Sequence, residues 1–418
     1  MITEEMEDIL IERILQRQIK ANEKILKEIA EVLAEIGDIN PSEAYKIGQM
    51  LKYGESLDKI VKILAETSQF TELEIYEMLE KEAKMNLGFS KKYFKAKKLD
   101  FIPYEKNIAL QNKVNEIAIA TIGTYRNISR TTGIAYLDKF GNRVVKPIRE
   151  AYNEIVDKAI YDVSMGKETF YEALKRQLSI IGQNGIQSIE YESGYHRRID
   201  SALRMNLSDG LNSLNMAQQE IVGEQFGANM IEVSHHENAA PDHIDTVDGK
   251  QFVILGAIID QIEKGVEKEI KMSDIDVANM RVKYKGKWYY DFEAFNETLQ
   301  RKVGTCNCYH TIFTGILGLD EPRYTEEELK KDKEKNEKGF EYEGKHYTLY
   351  EGEQLLRRIE LELRKNKETE IMAKYGGSKE LLDSCKKKER ILLDKYYDVI
   401  KASGLNTKLE RIRLLTVK

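Results

Sequence analysis

Two short segments of this chain contain most of its side chains that bind transition metals. The segment at residues 234–243, SHHENAAPDH, contains His235, His236 and His243. The segment at residues 306–310, CNCYH, contains Cys306, Cys308 and His310. The whole chain has only 6 His and 3 Cys, so the two segments hold the larger part of both residue types. Imidazole and thiolate are the ligands that zinc prefers in proteins.

The spacing of these residues is compatible with a tetrahedral zinc site. Such a site takes four nitrogen or sulfur ligands, which usually come as close pairs from two segments of the chain. His236 and His243 form one pair, and Cys308 and His310 form the other, with Cys306 as an alternative in the second pair. Four protein ligands close the coordination shell, so the predicted zinc would be structural and not catalytic.

Two other interpretations of the same residues stay open. In one, the cysteines are small apolar core residues and the histidines form local hydrogen bonds without a metal. In the other, Asp242, Asp245 and Asp248 near His243 bind a hard cation or act as general acid and base in a metal-dependent nuclease or hydrolase. Carboxylates before a glycine, such as Gly249, more often form a solvated turn. The chain has no nucleophile elbow, Walker loop, dinucleotide-binding glycine pattern or HExxH motif.

The composition is typical of a large, mainly helical protein. A chain of 418 residues suggests two to four domains, and 41% hydrophobic residues are enough to form cores. The net charge of −6 argues against a general nucleic-acid coat and against a membrane-surface binder. No apolar run approaches the roughly 18 residues that span a bilayer, and the acidic N-terminus is not expected to be a signal peptide. Three cysteines do not make a disulfide framework and suit a reducing compartment.

The first hundred residues are predicted to form several short helices. One helix face is marked by apolar residues at i, i+4, i+7 and i+11, namely Ile25, Ile29, Val32 and Ile36. Gly37 is a predicted stop, and NPSE at residues 40–43 is a helix-start signal. Thr71 with Glu74 has the spacing of a capping box and is predicted to start a further helix.

Two basic segments each allow two interpretations. The lysine-rich segment KKYFKAKK, at residues 91–98, is predicted to be a solvated face, and the alternative is a contact with an acidic partner or a nucleic-acid backbone. Arg197, Arg198 and Arg204 lie near the start of a long helix, where the helix dipole disfavours cations. These arginines are predicted to form salt bridges with carboxylates such as Asp200, and the alternative is a docking face for an acidic partner.

Short strands interrupt the helices in the middle of the chain. AYLDKFGNRVV at residues 135–145 is predicted to be a small hairpin with its turn at Gly141 and Asn142. A further short strand is predicted at residues 189–191. After Gly227 a compact α+β domain of about 90 residues is predicted. Its strands are expected in the segments MIEVSHH, DGKQFVIL and KYKGKWYYDF.

Helices are predicted again beyond Pro322. Thr325 with Glu328 forms another capping box. KKDKEKNEKG at residues 330–339 is predicted to be a solvated, charged linker. Two apolar helix faces follow, one formed by Leu356, Ile359 and Leu363 and the other by Leu392, Tyr396 and Val399.

The predicted fold class is mainly α with a small α+β domain. Four regions are predicted: an N-terminal helical region, a second helical region with a long helix, a compact α+β domain with the His/Cys cluster, and a charged linker with C-terminal helices. Their predicted bounds are residues 1–104, 105–226, 227–321 and 322–418.

Several segments together carry a resemblance to a known family. VSHHENAAPDH at residues 233–243 is followed by Gly249 and Lys250, and later by NCYH at residues 307–310. This order resembles the pattern V-S-x-H-x-G-A-R-P-x-H, then Gly-Lys, then N-C-x-H of the phage minor capsid protein 2 family. These are portal-associated head morphogenesis proteins of tailed phages, related to the Mu F-like head proteins. The first pattern matches at Val233, Ser234, His236, Ala239, Pro241 and His243.

The resemblance extends over most of the chain, in the family's order. Residues 41–54, 190–206 and 350–367 are similar to its N-terminal helices, its tyrosine–serine–glycine segment with an Arg-rich helix, and its C-terminal helix. The chain departs from the pattern at Asn238, where the family usually has Gly, and at Ala240, where it usually has Arg. The segment before Gly249 is one residue longer, and the Gly-rich stretch before NCYH is shortened. The His and Cys positions are kept.

The resemblance implies a structural virion protein without enzymatic activity. It would bind the phage portal protein inside the head, in multiple copies at the portal vertex, and assist assembly, genome packaging or ejection. It would be made in the cytoplasm of the bacterial host. The major capsid or scaffolding protein and packaged DNA are further candidate partners, and no membrane is involved. Zinc is the candidate cofactor, with His236, His243, Cys308 and His310 as its ligands.

Overall fold

The fold is mainly helical, as predicted, with a small α+β part. The computed structural model describes residues 4–35, 43–138, 140–164, 170–188, 197–305, 308 and 310–406. The helices are α1 (Glu4–Glu35), α2 (Glu43–Lys97), α3 (Ile108–Arg130), α4 (Ile148–Ser164), α5 (Phe170–Asn184), α6 (Ile199–Phe226), α7 (Pro241–Ile244), α8 (Leu255–Glu263), α9 (Phe292–Glu297), α10 (Glu326–Lys338), α11 (Leu349–Tyr375) and α12 (Lys379–Ser403).

Within the described residues the strands form four small sheets, and all the pairs between these strands are antiparallel. The strands are β1 (Thr132–Leu137), β2 (Arg143–Pro147), β3 (Ile186–Ser188), β4 (Arg197–Arg198), β5 (Met230–Val233), β6 (Gln251–Val253), β7 (Ile275–Asp276), β8 (Arg281–Tyr284), β9 (Lys287–Tyr290), β10 (Ile312–Gly315), β11 (Phe340–Tyr342) and β12 (Lys345–Tyr347). Their orders are β2-β1-β3-β4, β10-β5-β6, β7-β8-β9 and β11-β12.

Long helices replace the several short ones predicted for the N-terminal hundred residues. The predicted face is confirmed at Ile25, Ile29 and Val32, which are buried in α1. The predicted helix start at Thr71 is wrong, because α2 runs without a break through this buried residue. Apolar residues such as Ile60 and Ile75 stay buried on both sides of it, so tertiary packing continues the helix past a local capping signal. Ile36, Gly37 and residues 40–42 lie outside the described part of the chain.

The lysine-rich segment at residues 91–98 is the exposed C-terminal end of α2. Its lysines are exposed, which agrees with the predicted solvated face. Its two aromatic residues are buried, and the Tyr93 ring stacks on Phe226 of α6 with centroids 4.6 Å apart. Lys92 forms an ion pair with Asp320 at 3.3 Å. The segment therefore anchors the end of α2 against the α+β part.

The hairpin predicted at residues 135–145 is confirmed as β1 and β2, which pair from Gly133↔Pro147 to Leu137↔Arg143. Asp138 closes the turn, because its side chain accepts hydrogen bonds from the backbone N–H groups of Phe140 and Asn142. The strand predicted at residues 189–191 lies outside the described residues.

Two of the three arginines near the start of α6, Arg198 and Arg204, form ion pairs within the chain, as predicted. Arg198 is buried between Asp200, at 3.5 Å, and Glu368 of α11. Arg364 of α11 also pairs with Asp200. Arg204 pairs with Glu12 of α1 at 2.7 Å. The buried charges therefore join α6 to the C-terminal helices.

Helix α10 contains the segment that was predicted to be a linker, so that prediction is wrong. Lys–Glu pairs at i, i+4, such as Lys330 with Glu334, lie along the helix. Three acidic residues occupy its first turn, and Lys335 and Lys338 occupy its last turn, which suits the helix dipole. The predicted capping box at Thr325 is confirmed. A run of alternating charge thus forms a helix once its ends are capped.

Substituting Thr325→Ala will lower the free energy of unfolding by about 1 kcal/mol. The Thr325 hydroxyl accepts a hydrogen bond from the backbone N–H of Glu328 at 3.1 Å, and alanine leaves that donor without its partner. Urea denaturation followed by circular dichroism measures the change. Thr325→Ser keeps the hydroxyl and is expected to match the unchanged protein. Equal stability of the alanine and serine variants would contradict a capping role.

One large core joins the two ends of the chain. Ile25 and Ile29 of α1 lie in the same cluster as Leu178 of α5 and Met372 of α11. A separate cluster joins α11 to α12, and it contains both apolar faces predicted for these helices. Its members from the predicted faces are Leu356, Ile359, Leu363, Tyr396 and Val399, with Leu392 packed against them. The predicted division into four regions stays a prediction.

Candidate metal site

Antiparallel pairing of β5 with β10 brings the two His/Cys segments together. Val233, at the end of β5, pairs with Ile312, at the start of β10. The residues that follow β5 therefore lie beside the residues that precede β10. The Ser234 backbone N–H donates to the Thr311 carbonyl at 2.9 Å and continues the pairing towards the site. The chain then forms α7, which starts at Pro241 and carries His243.

Three potential metal ligands meet at this point. The Nδ1 atoms of His243 and His310 are 3.3 Å apart. The Cys308 Sγ lies 3.5 Å from the His243 Nδ1 and 3.4 Å from the His310 Nδ1. All three residues are buried, and His243 is 0% exposed. The three atoms form a nearly equilateral triangle inside the protein.

The second nitrogen of each imidazole has its own partner. The His243 Nε2 lies 2.7 Å from the backbone carbonyl oxygen of Arg301, and the His310 Nε2 lies 2.9 Å from Asp248 Oδ1. Both partners are acceptors, so each Nε2 carries the proton and donates it. In the neutral imidazole, Nδ1 then presents its lone pair to the centre of the triangle. Metal-binding histidines in proteins are usually oriented in this way.

Asp248 connects the site to its surroundings. Besides His310, it accepts hydrogen bonds from His235 Nδ1 at 2.6 Å and from the His236 backbone N–H at 2.9 Å. Burial alone would raise the pKa of this carboxyl, but the hydrogen bonds from His235 and His310 outweigh burial and lower the pKa to about 2. Asp248 is therefore a carboxylate at neutral pH.

Burial shifts the pKa of two of the three candidate ligands. It raises the pKa of the Cys308 thiol, and it lowers the pKa of His310 in spite of the hydrogen bond to Asp248. His310 is therefore neutral at neutral pH, which keeps its Nδ1 lone pair free to bind. The Cys308 carbonyl accepts a hydrogen bond from Asn212 of α6 at 3.1 Å, which holds the segment against that helix.

The fourth predicted ligand, His236, lies beside the triangle and is not part of it. Its ring meets the His310 ring edge-on, with centroids 4.7 Å apart. Its Nε2 lies 3.2 Å from the Ser234 hydroxyl. The group of mutually close ligand atoms among the described residues contains His243, Cys308 and His310. Cys306, the alternative ligand, lies outside the described residues.

The carboxylates proposed for a catalytic site have other partners. Asp242 forms a two-bond ion pair with Arg301, at 2.8 and 2.9 Å. Asp245 pairs with Lys333 of α10 at 2.6 Å. Asp248 holds histidines through hydrogen bonds. The three carboxylates are thus engaged in structural contacts, and the arrangement gives no support to a nuclease or hydrolase.

Sequence reasoning missed two residues that support the site. Arg301 supplies the carbonyl for His243 and the guanidinium for Asp242, and nothing in its sequence context marks it. Asp332 of α10 lies 3.0 Å from the His235 Nε2 and so ties α10 to Asp248 through His235. Its position in a run of charged residues concealed it. The signal that could have revealed Asp332 was the capping box that starts α10.

Comparison with known proteins identifies the chain's family. No helix among the described residues is long and apolar enough to cross a membrane. No curated protein and no solved structure matches the chain. The phage minor capsid protein 2 family, in contrast, matches residues 8–398, which include every numbered strand and the whole candidate metal site. The match covers far more than half of the chain, and we conclude that this protein belongs to the phage minor capsid protein 2 family.

Proposed function

We propose that this virion protein binds the phage portal protein inside the head and assists assembly, genome packaging or ejection. Its role is structural and not enzymatic, and several copies assemble at the portal vertex. The observation that carries the proposal is the family match over residues 8–398, because it makes the chain a minor component of a phage capsid. The major capsid or scaffolding protein is a further candidate partner.

The N-terminal helices support docking on another protein. Large apolar side chains are exposed on α2 and α3, which pack against each other, and four of them are Phe70, Leu73, Ile108 and Ile119. Apolar side chains on adjacent helices are a common means of protein–protein recognition. We assign portal binding to this α2–α3 surface, defined by these four residues.

The charge of the chain supports a protein partner over extensive DNA coating. The net charge is −6, and electrostatic attraction to the DNA backbone requires an excess of cations. The exposed lysines at the end of α2 are the place we propose for any contact with packaged DNA.

Co-expression with the portal protein of the same phage tests this function. The two proteins are expected to elute together in size-exclusion chromatography, at a mass that includes several copies of this chain. Separate elution of two folded proteins would refute portal binding.

Substitutions test the assigned surface separately. Ile119→Asp, at a residue 72% exposed on α3, is expected to weaken portal binding at least tenfold, or about 1.4 kcal/mol. Ile391→Asp is the matched control, because Ile391 is 57% exposed on α12, away from the assigned surface. Equal affinity of both variants, measured by interferometry on immobilised portal, would refute the surface but not portal binding itself.

A further inference from the structure

We infer that His243, Cys308 and His310 bind a Zn²⁺ ion through Nδ1, Sγ and Nδ1. This inference is independent of portal binding, because it rests on the site's own geometry. The ion would lie in the α+β part, at the junction of β5, α7 and β10.

The triangle has the size of one face of a zinc tetrahedron. With Zn–N distances of about 2.0–2.1 Å and a Zn–S distance of about 2.3 Å, tetrahedral angles separate two nitrogens by about 3.3 Å and a nitrogen from a sulfur by about 3.6 Å. The structure has 3.3 Å between the nitrogens and 3.4 and 3.5 Å from the sulfur to each of them. The ligands therefore already hold the spacing that the ion requires.

The protons available in the triangle do not satisfy its three atoms. Each Nε2 donates outward, to the Arg301 carbonyl or to Asp248, so an imidazole that carries a single proton there directs the lone pair of its Nδ1 inward. The Cys308 thiol has one proton and can serve only one of the two nitrogens. Two buried lone pairs 3.3 Å apart repel each other unless a cation lies between them. A metal ion accepts all three lone pairs at once.

The donor set selects the metal. Two imidazoles and a thiolate suit zinc, whereas Mg²⁺ and Ca²⁺ prefer oxygen ligands. Binding would remove the thiol proton of Cys308. The outer partners also fit, because a carboxylate and a backbone carbonyl are the usual acceptors for the second nitrogen of a zinc-bound histidine.

We assign the fourth position to His236. Its ring already contacts His310, and its Nε2 lies 3.2 Å from the Ser234 hydroxyl. Rotation of this half-buried side chain would exchange that hydrogen bond for the metal. Four protein ligands leave no open coordination position, so the ion would have a structural role.

The bound zinc ion would stabilise the contact between α10 and the α+β part. His310 forms a hydrogen bond with Asp248, Asp248 forms one with His235, and His235 forms one with Asp332 of α10. An ion that fixes His310 therefore fixes the first member of this chain of hydrogen bonds.

Metal analysis of the full-length protein tests the inference. Protein expressed with added zinc is expected to contain about one zinc per chain by mass spectrometry of the metal. Cys308→Ser and His310→Ala are each expected to contain at least tenfold less zinc per chain. The matched controls are Cys385→Ser, at a buried cysteine on α12, and His346→Ala, at an exposed histidine on β12, and both should keep the metal.

Cobalt substitution reports on the ligands even if a variant fails to fold. Unchanged protein loaded with Co²⁺ should show the visible bands of a tetrahedral site and a thiolate-to-cobalt charge-transfer band. If the unchanged protein contains no zinc and shows none of these bands with Co²⁺, the proposed site is refuted. Zinc binding that survives in folded Cys308→Ser would refute the ligand assignment. Unchanged affinity in His236→Ala would refute the fourth ligand alone, and a loss of at least tenfold would support it.

Asp248→Asn is expected to weaken zinc binding by about 10- to 100-fold. An asparagine has one acceptor oxygen and no charge, so it cannot serve both His235 and His310 as the carboxylate does, and its hydrogen bond to His310 is weaker. Competition with a chelating dye measures the affinity. Asp260→Asn, at an exposed position on α8, is the control. Equal affinities in the two variants would contradict the role given to Asp248.

Discussion

Asp200→Asn will lower the free energy of unfolding by about 3–5 kcal/mol. The Asp200 carboxylate is 3% exposed and pairs with both Arg198 and Arg364, while Glu368 pairs with Arg198. Asparagine has nearly the same shape but no charge. It therefore leaves two guanidinium groups beside a single buried carboxylate, and the uncompensated cation is costly.

A matched substitution separates burial from the loss of an ion pair. Asp260 pairs with Lys264 at 2.7 Å, but its side chain is 55% exposed. Asp260→Asn is expected to change stability by less than about 0.5 kcal/mol. Chemical denaturation of the three proteins in parallel gives the comparison. Similar losses in both variants would show that burial of the Arg198 network does not matter.

The same carboxylate predicts a pH dependence. Burial would raise the pKa of Asp200, but Arg364 and Arg198 outweigh it and lower the pKa below the ordinary value of 3.8. A lowered pKa contributes stability above 3.8, and that contribution is lost as the pH falls from there through the lowered pKa. The unchanged protein should therefore lose more stability than Asp200→Asn on acidification below about pH 4.

Gly182→Ala will destabilise the protein by about 3 kcal/mol, the upper end of the usual cost of overpacking. Gly182 lies where α5 crosses α11. A Cβ at this position would lie 2.8 Å from the Thr369 backbone nitrogen and closer still to its Cα. Backbone atoms cannot rotate away as a side chain does. The two helices must therefore separate, which opens the core that joins Leu178 to Met372.

The control for this prediction has the opposite sign. Gly88 lies within α2, and a Cβ there would meet nothing within 4 Å. Gly88→Ala is expected to stabilise the protein by up to about 1 kcal/mol, because alanine has the higher helix propensity. Thermal and urea denaturation measure both variants. A neutral or stabilising Gly182→Ala would show that α5 and α11 do not approach as closely as described.

Local signals predicted the elements that local interactions decide. The β1–β2 hairpin forms where a Gly-Asn turn separates two apolar runs, and the Thr325 capping box starts α10. The same kind of signal failed at Thr71, because a capping box marks the start of a helix only where the residues before it are not helical. Whether those residues are helical depends on what α2 packs against. The charged segment at residues 330–339 was mistaken for a linker for a similar reason, because the contact of Asp332 with His235 cannot be seen from composition.

By itself, the sequence determined the family, the mainly helical class and the residue types of the candidate metal site. These depend on which residues are present and on their order. Only the tertiary structure decided that His243, Cys308 and His310 meet within 3.5 Å, that His236 lies beside them, and that Asp248 and Arg301 hold the two imidazoles. The reason is physical: the pairing of β5 with β10 joins segments far apart in the chain, and side-chain directions follow from that packing.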